Sequence, residues 1–240
     1  MKRKNIVIML TSLIGTAVIS SFILYQPFED AEKGFQPADD ENQIINLPEP
    51  ANDGSVSVEY ALQNRRSVRS YSNKPMTISQ VSQILWAAQG ITTQSRGFRT
   101  APSAGALYPL EVYVIIDNVD ELDQGLYKYK VRGHQLRKLK KGEINRDLAG
   151  AALGQACIKQ AAMLVVFSAV YERTTGKYSD RGERYVHMEA GHAAQNVYLQ
   201  AESLELGTVV VGAFNDDKVE KLLNMPENET ALYILPVGSI

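Results

Sequence analysis

The sequence predicts a mixed α+β domain, and three observations carry that reading. Two stretches near the start of the folded region have helical spacing, and two continuous apolar runs of strand length follow. A long stripe of small residues, again at helical spacing, comes after the second run. With 240 residues, 45% of them hydrophobic and 22% charged, the chain can bury one good core, a second is less expected, and one domain is expected.

The elements follow in order. In "VEYALQNRRS", Val58, Ala61 and Leu62 share one helical face. "TISQVSQILWAAQG" opens on an N-cap residue, Thr77, and closes on Gly90. A strand runs from Leu110 to Ile116, and "GLYKYKVRGHQLRKL" alternates and turns at Arg132-Gly133 as a hairpin does. "NRDLAGAAL" reads as a short helix and "AAMLVVFSAV" as a buried strand, too short to cross a membrane. The longest helix is "RYVHMEAGHAAQNVYLQAESL", where Val186, Ala190, Ala193, Val197, Ala201 and Leu204 recur on one face. Small side chains there let a neighbouring helix come close, which marks a central or interface helix. "GTVVVGAF" reads as a strand, "DDKVEKLLN" as a short helix with aspartates at its positive end, and "ALYILPVG" as the last strand.

Ahead of the domain, "MKRK" precedes an uncharged run from Asn5 to Tyr25, long enough to span a bilayer as a helix. The basic start and the acids after the run place the N-terminus in the cytoplasm and the rest outside. Residues 1–25 are therefore expected to be an uncleaved signal anchor, with cleavage and secretion as the alternative. Residues 26–56, acidic and holding four prolines, are expected to be an extended linker, with the folded domain over residues 57–240.

A formal net charge of −2 gives no basic field for a nucleic-acid partner. The single cysteine, Cys157, sits among alanines and reads as a small buried apolar residue. Three histidines without ligand spacing make a metal centre unexpected.

The densest polar cluster is "NRRSVRSYS", which sets Arg65, Arg66, Ser67 and Arg69 at the end of the first helix. Fork-shaped guanidinium donors around a hydroxyl suit phosphate oxygens. A solvated helix end offsetting the dipole is the simpler alternative. "RTAPSAGALYPLEVYVI" begins with Pro and Gly among small residues, the composition of a tight turn that comes close to something.

Five stretches in order, "RRSVRSY", "ILWAAQGIT", "RTAPSAGALYPLEVYV", "KYSDRGERYVHMEAGHAAQNVYLQAESLELG" and "VVVGAFND", resemble the nitroreductase-like flavoprotein superfamily. More narrowly they resemble its SagB-type dehydrogenase branch, which includes the oxidases that form thiazoles and oxazoles in peptides. The resemblance implies a central, mostly antiparallel sheet flanked by helices, and an intertwined homodimer with two FMN sites built from both chains. By position it assigns Arg65, Arg66 and Ser67 to the FMN phosphate and ribityl chain, and Arg69 to the N1 and O2 edge of the flavin. It assigns Pro102, Ser103, Ala104 and Gly105 to a segment approaching the flavin from the partner chain. Val211, Gly212 and Ala213 fall to the loop near N5.

Lys177 and Tyr178 match a Lys-Tyr pair that, in the azoline oxidases, is implicated in removing the substrate proton; a solvated Lys in a polar loop is the other reading of "TTGKYSD". Glu189 and His192 read as a structural helix pair. Ala106 and Tyr108 stand where ordinary nitroreductases often carry Asn and Gln, which would put Tyr108 within reach of the pocket. The implied activity is FMN-dependent two-electron oxidoreduction of a small molecule or peptide-derived substrate. Nitro or quinone reduction with NAD(P)H is the alternative within the class. A flavin-binding scaffold without turnover is the alternative outside it, suggested by the absence of a basic extension after "PVGSI".

Overall fold

In this computed structural model the described residues are 43–240, together with the backbone of Gln36–Pro37. The apolar run Asn5 to Tyr25 and, from the proline-containing stretch, residues 26–35 and 38–42 lie outside them. Among the described residues no helix is long and apolar enough to cross a membrane.

An eight-stranded sheet organises the domain. Its strands are β1 (Gln36–Pro37), β2 (Ile44–Asn46), β5 (Leu110–Ile116), β6 (Gly125–Lys130), β7 (Gln135–Lys141), β8 (Met163–Ala169), β9 (Leu206–Thr208) and β10 (Thr230–Ser239). The order is β1-β7-β6-β5-β8-β10-β9, with β2 also on β7, and each of these pairings is antiparallel. A separate two-stranded ribbon joins β3 (Ile91–Thr93) to β4 (Phe98–Arg99).

The two central strands are apolar on both faces, and each face has its own core. Val112, Val114 and Ile116 of β5, with Val165 and Phe167 of β8, pack against α2 (Ile78–Gln89) and α6 (Arg181–Ser203). Tyr113 and Ile115, with Leu164 and Val166, pack against α3 (Asn145–Ala151), α4 (Ala156–Lys159) and α7 (Asp216–Leu222). So the second core is present. Successive side chains of a strand point to opposite faces, and continuous Val/Ile/Leu runs require cover on both.

Most of the expected elements form where the pattern places them. Thr77 caps α2 in full: its Oγ1 accepts from Gln80 N–H at 3.2 Å, and Gln80 Oε1 accepts from Thr77 N–H at 2.9 Å. The small-residue stripe of α6 is spent within the chain, against α2 and the sheet, so the central-helix reading holds.

Four local expectations are corrected. Residues 44–48, expected in the linker, belong to the fold: Ile44–Asn46 pair with β7, Leu47 is buried and the Pro48 carbonyl accepts from Ser82 Oγ at 2.6 Å. The reason is the apolar "IINL" within an otherwise acidic stretch. In α1 (Val58–Asn64) only Ala61 is buried, while Val58 is 63% and Leu62 54% exposed, because the short helix rests on α6 through Ala61 alone. The strand expected over "GTVVVGAF" stops at Thr208, since the next free amide, Val210 N–H, turns to Tyr198 Oη at 2.9 Å instead of the ladder. Lastly, "TTGKYSD", for which a polar loop is one of the two readings, is helical from Thr174 to Tyr178 as part of α5 (Glu172–Tyr178), because its Thr174 is fully buried.

Candidate functional site

The residues singled out from the sequence gather into two groups on either side of α6. In the first, the segment after α1 meets the segment after β9. Ser67 bridges Thr208 in parallel, and Val68 N–H donates to the Thr208 carbonyl at 2.9 Å. Tyr198 of α6 locks the two together. Its hydroxyl lies 3.0 Å from Ser67 Oγ and accepts from Val210 N–H, while the guanidinium of Arg65 covers its ring 5.2 Å from the centroid. Val211 is then pinned to Ile234 by two backbone bonds, of 2.8 and 2.9 Å. Gly212 and Ala213, exposed, follow with amides that meet no acceptor among the described residues.

The three arginines differ in use. Arg66 turns back on its own helix and donates to the carbonyls of Gln63 at 3.0 Å and Arg65 at 2.9 Å, so it serves as a C-terminal cap. Arg65 and Arg69 make no ion pair among the described residues. Arg69 lies close enough to Tyr71 and Cys157 to act on their titration, although burial dominates and pushes both the phenol and the thiol up. Cys157 is thus buried and protonated, an apolar filler as expected.

The second group surrounds Pro102 to Tyr108. Ser103 Oγ accepts from Tyr108 N–H at 2.8 Å, closing a one-turn 3-10 helix over Ala104–Ala106. Gly105, Ala106 and Tyr108 all have left-handed backbones, with φ of 62°, 54° and 49°. Only the first is glycine, so the loop holds strain that its surroundings must support. Glu189 of α6 supplies one support, its Oε1 accepting from Ala104 N–H at 2.8 Å. Burial pushes the Glu189 carboxyl above the usual range, against the pull of that bond. His192, exposed one turn further on, reaches Glu189 only through its charge.

Lys177 and Tyr178, at the end of α5, stand against this same loop. A Cβ built on Gly105 would lie 2.9 Å from Tyr178 Oη and 3.0 Å from Lys177 Nζ. The expected catalytic pair and the expected flavin-approaching segment are therefore one cluster. Tyr108 does not reach outward with them. Its hydroxyl accepts from Arg99 N–H at 3.3 Å, its ring lies under the Arg99 guanidinium at 4.4 Å, and its carbonyl accepts from Arg173 Nη1 at 3.1 Å.

Tyr198, Arg99 and Arg173 escaped sequence reasoning. Tyr198 offers only a tyrosine on a half-buried helix position, Arg99 a lone arginine before a turn, and Arg173 a basic residue between the apolar strand and "TTGKYSD" that no pattern assigns to an element. Among the described residues no group of His, Cys, Asp and Glu could hold a metal ion.

Tyr198 follows Glu189 by nine residues, which is two and a half helical turns and about 13 Å along the axis. The two groups thus leave α6 in opposite directions.

Known proteins resemble the chain along most of this length. The family model "Nitroreductase family" matches residues 62–239. A nitroreductase-family protein of Methanocaldococcus jannaschii is 49% identical over 183 residues, 76% of this chain and 91% of that one. The microcin B17-processing protein McbC of Escherichia coli is 25% identical over 88% of this chain and 76% of its own. An NADPH-dependent FMN reductase of Bacillus subtilis is 24% identical over 73% of this chain and 62% of its own. Among solved structures, a nitroreductase-type protein of Ralstonia eutropha superposes with a TM-score of 0.73 at 28% identity, covering 85% of this chain and 97% of that one. With its antiparallel sheet, flanking helices and matching family model, the chain belongs to the nitroreductase family of oxidoreductases.

Proposed function

We propose that the protein is an FMN-dependent oxidoreductase of the SagB type that dehydrogenates a small or peptide-derived substrate. The observation that carries this reading is the packing of Lys177 and Tyr178 on the Gly105 loop, because it sets an amine and a phenol beside the segment assigned to the flavin.

The first group has the donors FMN needs. Among the described residues Arg65 and Arg69 offer guanidinium groups without acidic partners, Ser67 a hydroxyl, and Gly212 and Ala213 amides that meet no acceptor. Arg65, Ser67 and Arg69 would hold the phosphate and ribityl end, with Arg66 contributing through its cap of α1, and the Val211–Ala213 segment would border the ring. When bound, FMN supplies a two-electron acceptor. The chain's own part is to orient the substrate and take its proton, for which Lys177 Nζ is the base and Tyr178 Oη a neighbouring donor.

The opposite directions of the two groups on α6 support a homodimer in which Pro102, Ser103, Ala104 and Gly105 of one protomer approach the flavin held by its partner. The N-terminal run supports a membrane anchor with the enzyme outside the cytoplasm. There NADPH is not at hand and oxygen or a quinone serves as acceptor.

The test is the absorbance spectrum of the purified full chain, followed by stopped-flow mixing. A flavin spectrum that peptide thiazolines bleach and NADPH does not bleach supports dehydrogenation. Bleaching by NADPH alone supports the second reading, a nitro or quinone reductase, which the likeness to the Bacillus subtilis FMN reductase favours. A chain that takes up no FMN overturns both.

A further inference from the structure

Arg173 stands one helical turn before Lys177 on α5, and its guanidinium joins that helix to the strained loop. Nη1 donates to the Tyr108 carbonyl at 3.1 Å and Nη2 to Glu111 Oε1 at 2.6 Å. Among the described residues this is the one hydrogen bond from α5 to the segment Ala104 to Tyr108.

Behind Arg173 runs a row of charges of alternating sign. Glu111 at the start of β5 is 3.2 Å from Lys128 Nζ, and Lys128 is 2.6 Å from Glu229 Oε1. Glu229 is buried at 6% exposure and accepts at Oε2 from Tyr113 Oη and Ser168 Oγ, each at 2.9 Å. Burial of Glu111 favours its neutral form, but Lys128 and Arg173 together outweigh this and hold the carboxyl below the usual range. The pair with Arg173 therefore stays ionised at neutral pH. A guanidinium held at one nitrogen by a row rooted in the core and at the other by the Tyr108 carbonyl has little freedom left.

We infer that Arg173 is a positioning residue that sets the gap between the Lys177–Tyr178 pair and the loop at Gly105. This rests on the reading of that pair as the proton-removing groups. Arg173 acts on both sides of the gap: its backbone belongs to the helix that carries the pair, and its side chain fixes the Tyr108 carbonyl at the end of the loop. Without it, three left-handed residues lose a support and α5 loses its hydrogen bond to the loop.

The test is 19F NMR of the full chain carrying 3-fluorotyrosine, with the Tyr178 resonance assigned from Tyr178→Phe. Arg173→Gln is expected to shift that resonance and broaden it about twofold through added exchange. Arg173→Lys, which keeps a charged donor, returns it toward the wild-type position, while Tyr60 and Tyr233 stay in place. Should Arg173→Gln fail to fold, Glu111→Gln is expected to produce the same shift at smaller size. A Tyr178 resonance unmoved in the folded variants overturns the inference. Because the readout needs no turnover, a silent Lys177→Ala would defeat the proton-removal reading and leave this result standing.

Discussion

Gly105 and Lys177 leave no room for a methyl group between them: a Cβ on the glycine would stand 3.0 Å from Nζ and 2.9 Å from Tyr178 Oη. The glycine also has φ 62°, which an alanine adopts at a cost of about 1 kcal/mol. Since the clashing atoms end flexible side chains, Gly105→Ala is expected to fold with a Tm lower by about 2–4 °C. Flavin uptake persists and dehydrogenation falls at least tenfold, about 1.4 kcal/mol of barrier, because the pair is pushed aside. Thermal melts and single-turnover flavin reduction check both parts.

Lys177→Ala removes the proposed base and leaves the first group untouched. Dehydrogenation is expected to fall by about two to four orders of magnitude with FMN stoichiometry unchanged. Stopped-flow reduction of the flavin at matched FMN occupancy measures it, and an undiminished rate shows that another group takes the proton.

Tyr198→Phe tests the lock of the group proposed to hold FMN. Losing the hydroxyl leaves Val210 N–H without its acceptor and frees Ser67, a cost of about 1–3 kcal/mol. FMN affinity, followed by flavin fluorescence, is expected to fall about tenfold or more, as it is in Arg65→Ala. Neither variant is expected to shift the 19F signal of Tyr178.

The raised Glu189 carboxyl makes a pH prediction with a definite sign. Burial lifts its folded value above the unfolded one, so the folded chain binds more protons in that window and stability falls as pH rises through it. Glu111 runs the other way, being lowered in the fold, and its contribution is lost only as pH falls below the usual carboxylate range. Glu189→Gln keeps an acceptor for Ala104 N–H and removes the titration. Its denaturation midpoint is expected to decline less than wild type from pH 4 to pH 8, read by urea unfolding at each end.

Gly182 is where α5 and α6 touch backbone to backbone. A Cβ there would lie 2.8 Å from both Cα and N of Thr175, atoms that cannot swing away. Gly182→Ala is expected to cost about 1–3 kcal/mol by overpacking, seen in urea unfolding, and to displace α5 together with Lys177.

What could be read from the sequence was what is decided locally or by period. The Thr77 cap, the Arg132-Gly133 turn and the doubly apolar runs of β5 and β8 each carry their cause within a few residues. The tight turn at Gly105 was visible in composition, and the resemblance supplied a flavin for it to approach. Helix α5 was not visible, because "ERTTGKY" has two threonines and a glycine, poor helix formers, and is held by burying Thr174 and by the close approach at Gly182. The roles of Tyr198 and Arg173 depend on partners 131 and 65 residues away, Ser67 and Tyr108, which no window on the sequence brings together.

The nine-residue interval between Glu189 and Tyr198 has a consequence for how this chain can vary. One continuous helix carries both contacts, so inserting or deleting a single residue between them would rotate one about 100° against the other without breaking the helix. The exposed residues in that interval, Gly191, His192 and Gln195, can change in kind, while Ala190, Ala193, Ala194 and Val197 are tied to the core and the number of residues is fixed. Length, rather than composition, is the conserved quantity that α6 imposes on any descendant that keeps both halves working.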